Sequence, residues 1–327
     1  VGERPRALLG LIQALTQRGD FHGCVDLINS SLAATGNGAA ATDFAVYAVS
    51  CLDKLEEADL RQRLRRRLRD HVRSLVEDLR APLSVDDRSD GFGTLIELSD
   101  ALGERPTGDR YADARLRLLE SAAAAARTAA DAATFDQHRL ESYRRLRRYE
   151  AAEKMLLQTE RALPADSNAP YRLAKLYYEM GRLDEALASV ENALGKAYGT
   201  RRAAALELQA TIKHGLGQTR EAVQSLTAAI AVHESQPTRN EPKLQQLRRQ
   251  VAAYQSALSA QRPSPQSAAP TADGARLART EARTDTLDTS VLQVTRRVSA
   301  TLPLPRGVLA MPTPSSSQPP LPLVTEP

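Results

Sequence analysis

Apolar residues recur at helical spacing along residues 1–262, with polar residues between them. The stripe through Leu60, Leu64, Leu68, Val72 and Leu75 is an example, with members three or four residues apart. Breaks in the pattern are expected at Gly19, Gly36, Gly38, Pro82, Gly103, Pro106, Gly108, Pro164, Gly181, Gly195, Gly215 and Pro237. The segments between these breaks are predicted to be amphipathic helices that are joined into hairpins.

Two adjacent stretches of the chain carry the same pattern. Tyr143 recurs as Tyr177 and Ala152 as Ala186, each pair 34 residues apart. In the second copy, small and aromatic residues lie on two helical segments that Gly181 separates. A period of this length predicts paired helices that bury their apolar face by stacking on the next copy.

The second copy, APYRLAKLYYEMGRLDEALASVENALGKAY, resembles the tetratricopeptide repeat (TPR) family at its small and aromatic positions. It departs from the family at its ends, at Pro170 and Tyr198. Residues 134–166 and 203–235 are weaker copies, and the first of them has Leu140 where a small residue is expected and Arg147 where glycine is expected. Around Gly19 the same turn pattern predicts a further, degenerate unit.

The resemblance implies an all-α, right-handed superhelical solenoid of antiparallel helix pairs. We expect degenerate repeats over residues 1–130, clear repeats over 131–236, a capping helix over 237–262 and a disordered tail over 263–327. For residues 40–130, diverged repeats are favoured over a different helical packing. The tail holds 11 of the 18 prolines and has no Phe, Tyr, Cys, Lys or His, so it has little apolar surface with which to offset its ordering entropy.

The resemblance also implies a non-enzymatic scaffold that binds a peptide or helix of a partner protein in a concave groove. When the family's groove-facing positions are carried over by register, the candidates for peptide binding are Arg144, Arg145, Asn168, Tyr171, Arg172, Lys175 and Tyr178. Four cations among two tyrosines suit an acidic or C-terminal peptide segment. The alternative is a solvated polar face without a selected partner. Glu141 and Lys175 stand where the family's carboxylate-binding version has asparagine, which argues against that ligand class.

A second resemblance covers the central third of the chain. It is to helical regions that follow a thioredoxin-like domain in some bacterial envelope proteins. It implies an auxiliary region of a larger envelope or thioredoxin-associated protein. The sequence leaves the compartment of the chain open between cytoplasm and periplasm. The chain begins with Val1, which fits a processed form, a fragment or an alternative start codon. Its 38 arginines against six lysines are typical of a GC-rich bacterial genome.

The formal net charge of +4, from 44 basic and 40 acidic residues, predicts no general attraction to nucleic acid. The densest basic run, at 61–75, flanks the leucine stripe, so a packed amphipathic helix is favoured over a nucleic-acid or membrane patch. No window is apolar enough to span a membrane. A nucleic-acid-binding helical protein therefore ranks last among the function classes.

Cys24 and Cys51 are 27 residues apart and predicted on successive packed helices. They form either a disulfide, which would indicate an oxidising compartment, or two buried thiols. The spacing of the five histidines and two cysteines supports no metal site, and no motif supports a cofactor or catalysis.

Overall fold

The computed structural model describes residues 3–260, and every regular element in this range is a helix. The helices are α1 (Glu3–Arg18), α2 (Phe21–Ser31), α3 (Ala39–Leu52), α4 (Ala58–Glu77), α5 (Val85–Ala101), α6 (Arg105–Ala125), α7 (Ala129–Ala133), α8 (Asp136–Arg145), α9 (Tyr149–Ala162), α10 (Asn168–Glu179), α11 (Leu183–Lys196), α12 (Gly199–Gly215), α13 (Thr219–Glu234) and α14 (Glu241–Ala260), with a 3-10 turn at Leu32–Thr35. The all-α prediction is therefore confirmed for this range. The expected tail at 263–327 lies outside the described residues.

Five helical hairpins turn at a residue with a positive φ. These residues are Gly19 (φ 72), Gly103 (φ 76), Arg147 (φ 56), Gly181 (φ 74) and Gly217 (φ 79). At Gly181, its amide donates to the Tyr178 carbonyl at 3.1 Å and the next amide donates to the Tyr177 carbonyl at 2.9 Å. The other four turns have the same pair of bonds. This Schellman arrangement ends the first helix and reverses the chain.

Some of the expected breaks are not breaks in the structure. Gly195 lies inside α11, and Pro106 and Gly108 lie in the first turn of α6. Proline is tolerated in a first helical turn because the amide it lacks would have no partner in the helix there. The prediction of a break at Pro106 and Gly108 is wrong, whereas the break expected at Gly195 lies one residue before the end of α11 at Lys196.

Small residues allow the helices of the clear repeats to approach closely. Ala152, Ala174 and Ala186 are completely buried, within a core that also contains Leu156 and Leu173. The helices pair as α8 with α9, α10 with α11, and α12 with α13, and successive pairs stack on one another. Helices α8 to α13 thus form TPR-like helical repeats, as the 34-residue period predicts.

The two tyrosines that recur with the period have a polar role as well as an apolar one. Tyr143 and Tyr177 are buried, and the Tyr177 hydroxyl donates to Glu153 at 2.8 Å, while the Tyr143 hydroxyl donates to Glu120. Burial and the neighbouring Glu153 raise the pKa of Tyr177 to about 12. Each ring therefore fills the core while its hydroxyl binds a carboxylate near the surface.

The basic run at 61–75 lies on α4 as a packed helix. Leu64, Leu68, Val72 and Leu75 are buried, and the arginines beside them bind carboxylates of neighbouring segments. The exposed arginines are thus the polar side of a helix whose apolar side is in the core.

Cys24 on α2 and Cys51 on α3 face one another in the interior. Their Cα atoms are 6.4 Å apart, and the structure pairs them as a disulfide. Both side chains are almost completely buried. The separation of the Cα atoms lies within the range found for disulfides, but the presence of the bond in the protein in solution stays a prediction.

Candidate protein-interaction surface

The first helices of successive hairpins place polar side chains on a shared face. Arg144 of α8 is paired with Glu179 of α10, with 2.6 Å between Arg144 Nε and Glu179 Oε2. On the same two helices, Arg172 Nε donates to Gln137 Oε1 at 3.2 Å. Both contacts join residues 35 positions apart, close to one repeat. The structure therefore brings Arg144 and Arg172 to one surface across α8 and α10.

The other candidates on α10 have different surroundings. The Lys175 ammonium lies 5.9 Å from the centre of the Tyr171 ring and its side chain is exposed. Asn168, at the start of the helix, donates from Nδ2 to Asp166 at 2.9 Å. Tyr178 is half-buried and packs against the core. Of these four, Lys175 and Tyr171 offer a partner an accessible cation beside an aromatic ring.

Arg145 is held by carboxylates of the preceding hairpin. Its Nη1 and Nη2 atoms donate to the two Asp100 oxygens at 2.6 and 2.7 Å, and its Nε donates to Asp109 at 2.9 Å. This bidentate bond lowers the pKa of Asp100. A Cβ at Gly108 would lie 2.5 Å from Arg145 Nη2, so the glycine makes room for the guanidinium. Arg145 therefore joins α8 to the α5–α6 turn.

Arg115 of α6 is a buried cation that sequence reasoning missed. Its Nε donates to Ser89 at 2.9 Å, its Nη1 donates to Glu141 at 3.2 Å, and its Nη2 lies 2.7 Å from His138 Nδ1. Burial lowers the pKa of Arg115. Arg115 lies on α6, the second helix of its hairpin, whereas the groove positions of the repeat lie on first helices. No local sequence pattern therefore identifies it. A buried cation of this kind requires a partner, which Glu141 supplies.

Glu141 is stabilised as a carboxylate in this cluster. Burial by itself would raise its pKa, but the contact with His138, the hydrogen bond from Gln137 and the charge of Arg115 lower that pKa to about 2. Glu141 is one of the two positions at which the sequence departs from the family's carboxylate-binding version. The structure gives it an internal role, because it neutralises a buried guanidinium.

A recess of about 250 Å³ opens beside this cluster, between α5, α6 and α8. It is lined by Gly93, Ile96, Arg115, Glu141, Ser142 and Arg145. Ser142 is 2% exposed, and its hydroxyl has no hydrogen-bond partner within residues 3–260. A buried hydroxyl without a partner is costly, so Ser142 is an unfavourable position within α8.

Two features are absent from residues 3–260. Histidine, cysteine and carboxylate side chains do not gather there in groups of three that could hold a metal ion. No helix in that range has the length and apolar character required to span a membrane.

No protein-family model matches the sequence, and no curated protein matches it. Among solved structures, the chain is similar to BtubC from P. vanneervenii, with 13% identity, 83% of this chain and 99% of that chain covered, and a TM-score of 0.41. It is similar to TTC0263, a TPR protein of Thermus thermophilus, with 17% identity, coverage of 66% and 99%, and a TM-score of 0.38. It is also similar to the TPR2AB domain of yeast Sti1 in a complex with pHSP90, with 14% identity, coverage of 77% and 100%, and a TM-score of 0.33. None of these similarities says what this chain binds.

Proposed function

We propose that this chain is a non-enzymatic protein-interaction scaffold, which binds a peptide or helix of a partner on the groove formed by its first helices. The observation that carries the proposal is the continuity of this surface. Side chains of α8 and α10 contact one another one repeat apart, through Arg144 with Glu179 and Gln137 with Arg172. A row of helices joined in this way offers an extended polar surface to a partner segment.

The internal ion pairs narrow the choice of groups that contact a partner. Arg144 and Arg145 already bind carboxylates of the chain, and Arg172 binds Gln137. A partner that bound these arginines would have to displace contacts that the fold itself makes. Lys175 forms no ion pair in the described range and lies beside Tyr171. We therefore assign the first contact with a partner on this part of the groove to Lys175 and Tyr171.

A random-peptide phage library, selected on the immobilised full chain, tests the proposal. We expect peptides to be enriched, and the binding of some of them to fall on Lys175→Glu. The matched control is Lys154→Glu, which makes the same charge change at an exposed position on α9, a second helix. Equal loss with both variants would indicate unspecific charge effects. The absence of any enriched peptide would refute the scaffold proposal.

The alternative is that the chain is the repeat region of a larger envelope or thioredoxin-associated protein. The pairing of Cys24 with Cys51 favours it, because disulfides persist in oxidising compartments. The alternative keeps the same binding surface and changes only the protein that carries it. The state of the two thiols, considered below, distinguishes a cytoplasmic scaffold from an envelope one.

A further inference from the structure

Ser142 occupies a position that is apolar in the neighbouring hairpins. It lies on α8, five residues before Arg147, the residue with a positive φ in the α8–α9 turn. In the hairpins α5–α6, α10–α11 and α12–α13, the residue five positions before the turn glycine is apolar and almost or completely buried. These residues are Leu98, Leu176 and Ile212. Ser142 therefore places a short polar side chain where the repeat otherwise has a core residue.

The recess of about 250 Å³ adjoins this serine, between α8 and the hairpin α5–α6. Serine is shorter than leucine or isoleucine, so it fills less of the space at this position. Its hydroxyl also finds no partner in the described part of the chain. Protein interiors are normally filled as densely as organic crystals. The contact between α5–α6 and α8 is thus less completely packed than the contacts between the later hairpins.

Polar contacts hold much of this interface together. Arg145 binds Asp100 and Asp109 of the α5–α6 hairpin. Arg148, in the α8–α9 turn, approaches Asp113 of α6 to 2.8 Å. The Arg115–Glu141 pair crosses the same contact. Interfaces with this polar character allow relative motion more readily than large apolar ones.

Each side of the contact has a hydrophobic core of its own. Buried residues of α1 to α5 form one cluster, and those of α8 to α12 belong to another. Helix α6 takes part in both, because Tyr111 and Leu118 pack against the first cluster and Leu116 belongs to the second. Among the described residues, no buried side chain belongs to both clusters. The two sides can therefore tilt without opening either core.

The connection between the two sides also differs from the later ones. Residues 126–135 link α6 to α8, whereas 163–167 link α9 to α10 and 197–198 link α11 to α12. The longer link includes the short helix α7, of which no residue is buried. A segment with few buried contacts adapts to a change in the positions of its ends at low cost.

We propose that the contact between α5–α6 and α8 is a hinge, at which the first half of the described chain, residues 3–125, tilts against the second half, residues 136–260. Arg145 is the latch that holds it closed. In the open state, the bonds from Arg145 to Asp100 and Asp109 are replaced by water, while Leu116 keeps α6 in the second core. Opening changes the separation of the first helices α5 and α8, and with it the width of the groove. This motion does not depend on what the groove binds.

The latch combines strength with access to solvent. The Arg145 side chain is mostly buried and makes three hydrogen bonds to the two carboxylates. Asp100 and Asp109 are partly exposed, so water reaches them when the guanidinium withdraws. A two-pronged bond of this kind requires the planar group of arginine.

Distances between spin labels on the full chain test the hinge. Each label is attached through p-acetylphenylalanine, which leaves the two cysteines unchanged. The labelled positions are exposed and lie on second helices: Asp26, Arg63, Lys154 and Glu191. The pair at positions 63 and 154 spans the hinge, whereas the pairs 26 with 63 and 154 with 191 each lie within one half. Double electron–electron resonance measures the distribution of each distance.

We expect Arg145→Gln to broaden the distribution across the hinge at least about twofold and to leave the other two unchanged. Asp100→Asn should broaden the same distribution, because it removes the other partner of the latch. Arg144→Gln is the matched control, since this neighbouring arginine pairs with Glu179 in the second half. It should not broaden the distribution across the hinge.

Ser142→Leu should have the opposite effect. Its side chain would fill the recess and replace the unsatisfied hydroxyl, so we expect the Tm to rise by about 3 °C. Combined with Arg145→Gln, it should restore the narrow distribution across the hinge. A lower Tm without any narrowing would overturn the packing defect as the origin of the motion.

Two other results would overturn the hinge itself. If Arg145→Gln left the distribution across the hinge unchanged, Arg145 would be a static contact. If it broadened all three distributions equally, the loss of order would be general and would have no centre at α8. Neither result bears on the scaffold function, which the peptide selection tests separately.

Discussion

Arg147 shows how a single residue can depart from a repeat pattern without changing the fold. Within residues 3–260 it is the one residue other than glycine with a positive φ, at 56°. Its amide nevertheless donates to the Arg144 carbonyl at 3.1 Å, as the turn glycines do at their own turns. The sequence marks Arg147 as a departure from the expected glycine, and the structure shows that the turn keeps its geometry. The cost is the steric strain of a side chain in a left-handed conformation.

We therefore expect Arg147→Gly to stabilise the chain by about 1 kcal/mol, because glycine adopts this conformation without a Cβ clash. Unfolding in urea, monitored by circular dichroism, measures the difference. Arg147→Ala is the control, since alanine keeps the Cβ and should give no such gain. If both variants were equally stable, backbone strain at this turn would not be the cause.

At the scale of the helices, Cys24 and Cys51 connect α2 to α3. A disulfide between them would add stability and would indicate an oxidising compartment. Cys24 and Cys51 join the first hairpin to the next first helix across 27 residues. The buried positions suit either a disulfide or two small apolar thiols. The structure brings the sulfur atoms together, which the sequence alone left open because the spacing along the chain does not fix the orientation of the helices.

Mass spectrometry of the native protein, denatured without reductant, should reveal a peptide pair linked through Cys24 and Cys51. Reduction should then lower the free energy of unfolding by about 3 kcal/mol, because a loop of this length gains chain entropy when it is opened. The Cys24→Ala, Cys51→Ala double variant should not respond to reductant. Two free thiols in the native protein would contradict the bond and favour a cytoplasmic scaffold.

At the scale of the whole molecule, stability should be distributed along the stack of helices. Each hairpin covers the apolar face of its neighbour, and α14 packs against α13 at the end of the described range. There Leu247 is buried with Ala210, Ala222 and Leu226 in a cluster of its own. A repeat array of this kind unfolds locally from its ends when a terminal unit loses the helix that packs against it.

We expect Leu247→Asp to speed hydrogen exchange in α12, α13 and α14 while α3 to α5 keep their protection. The reason is that a charge replaces a buried side chain in the terminal cluster, whereas the core near the N-terminus is separate from it. Hydrogen exchange followed by mass spectrometry measures each segment. Gln246→Asp is the matched control, because that neighbouring side chain is exposed. Equal loss of protection along the whole chain would indicate a single cooperative unit.

The sequence by itself determined the helices, the period and most of the turns. These features depend on neighbours within one repeat: the spacing of Ala152, Ala186 and Tyr177 predicts buried faces, and Gly181 predicts a left-handed turn. The same local reasoning wrongly predicted a break at Pro106 and Gly108, because proline is tolerated in the first turn of a helix.

Only the tertiary structure decided which charges are available to a partner. Register placed Arg144, Arg145 and Arg172 in the groove, but it could not show that Glu179, Asp100 and Gln137 reach them from other helices. Ion pairs and repulsions depend on distances of a few ångströms between side chains far apart in the chain, and those distances are set only when the helices pack.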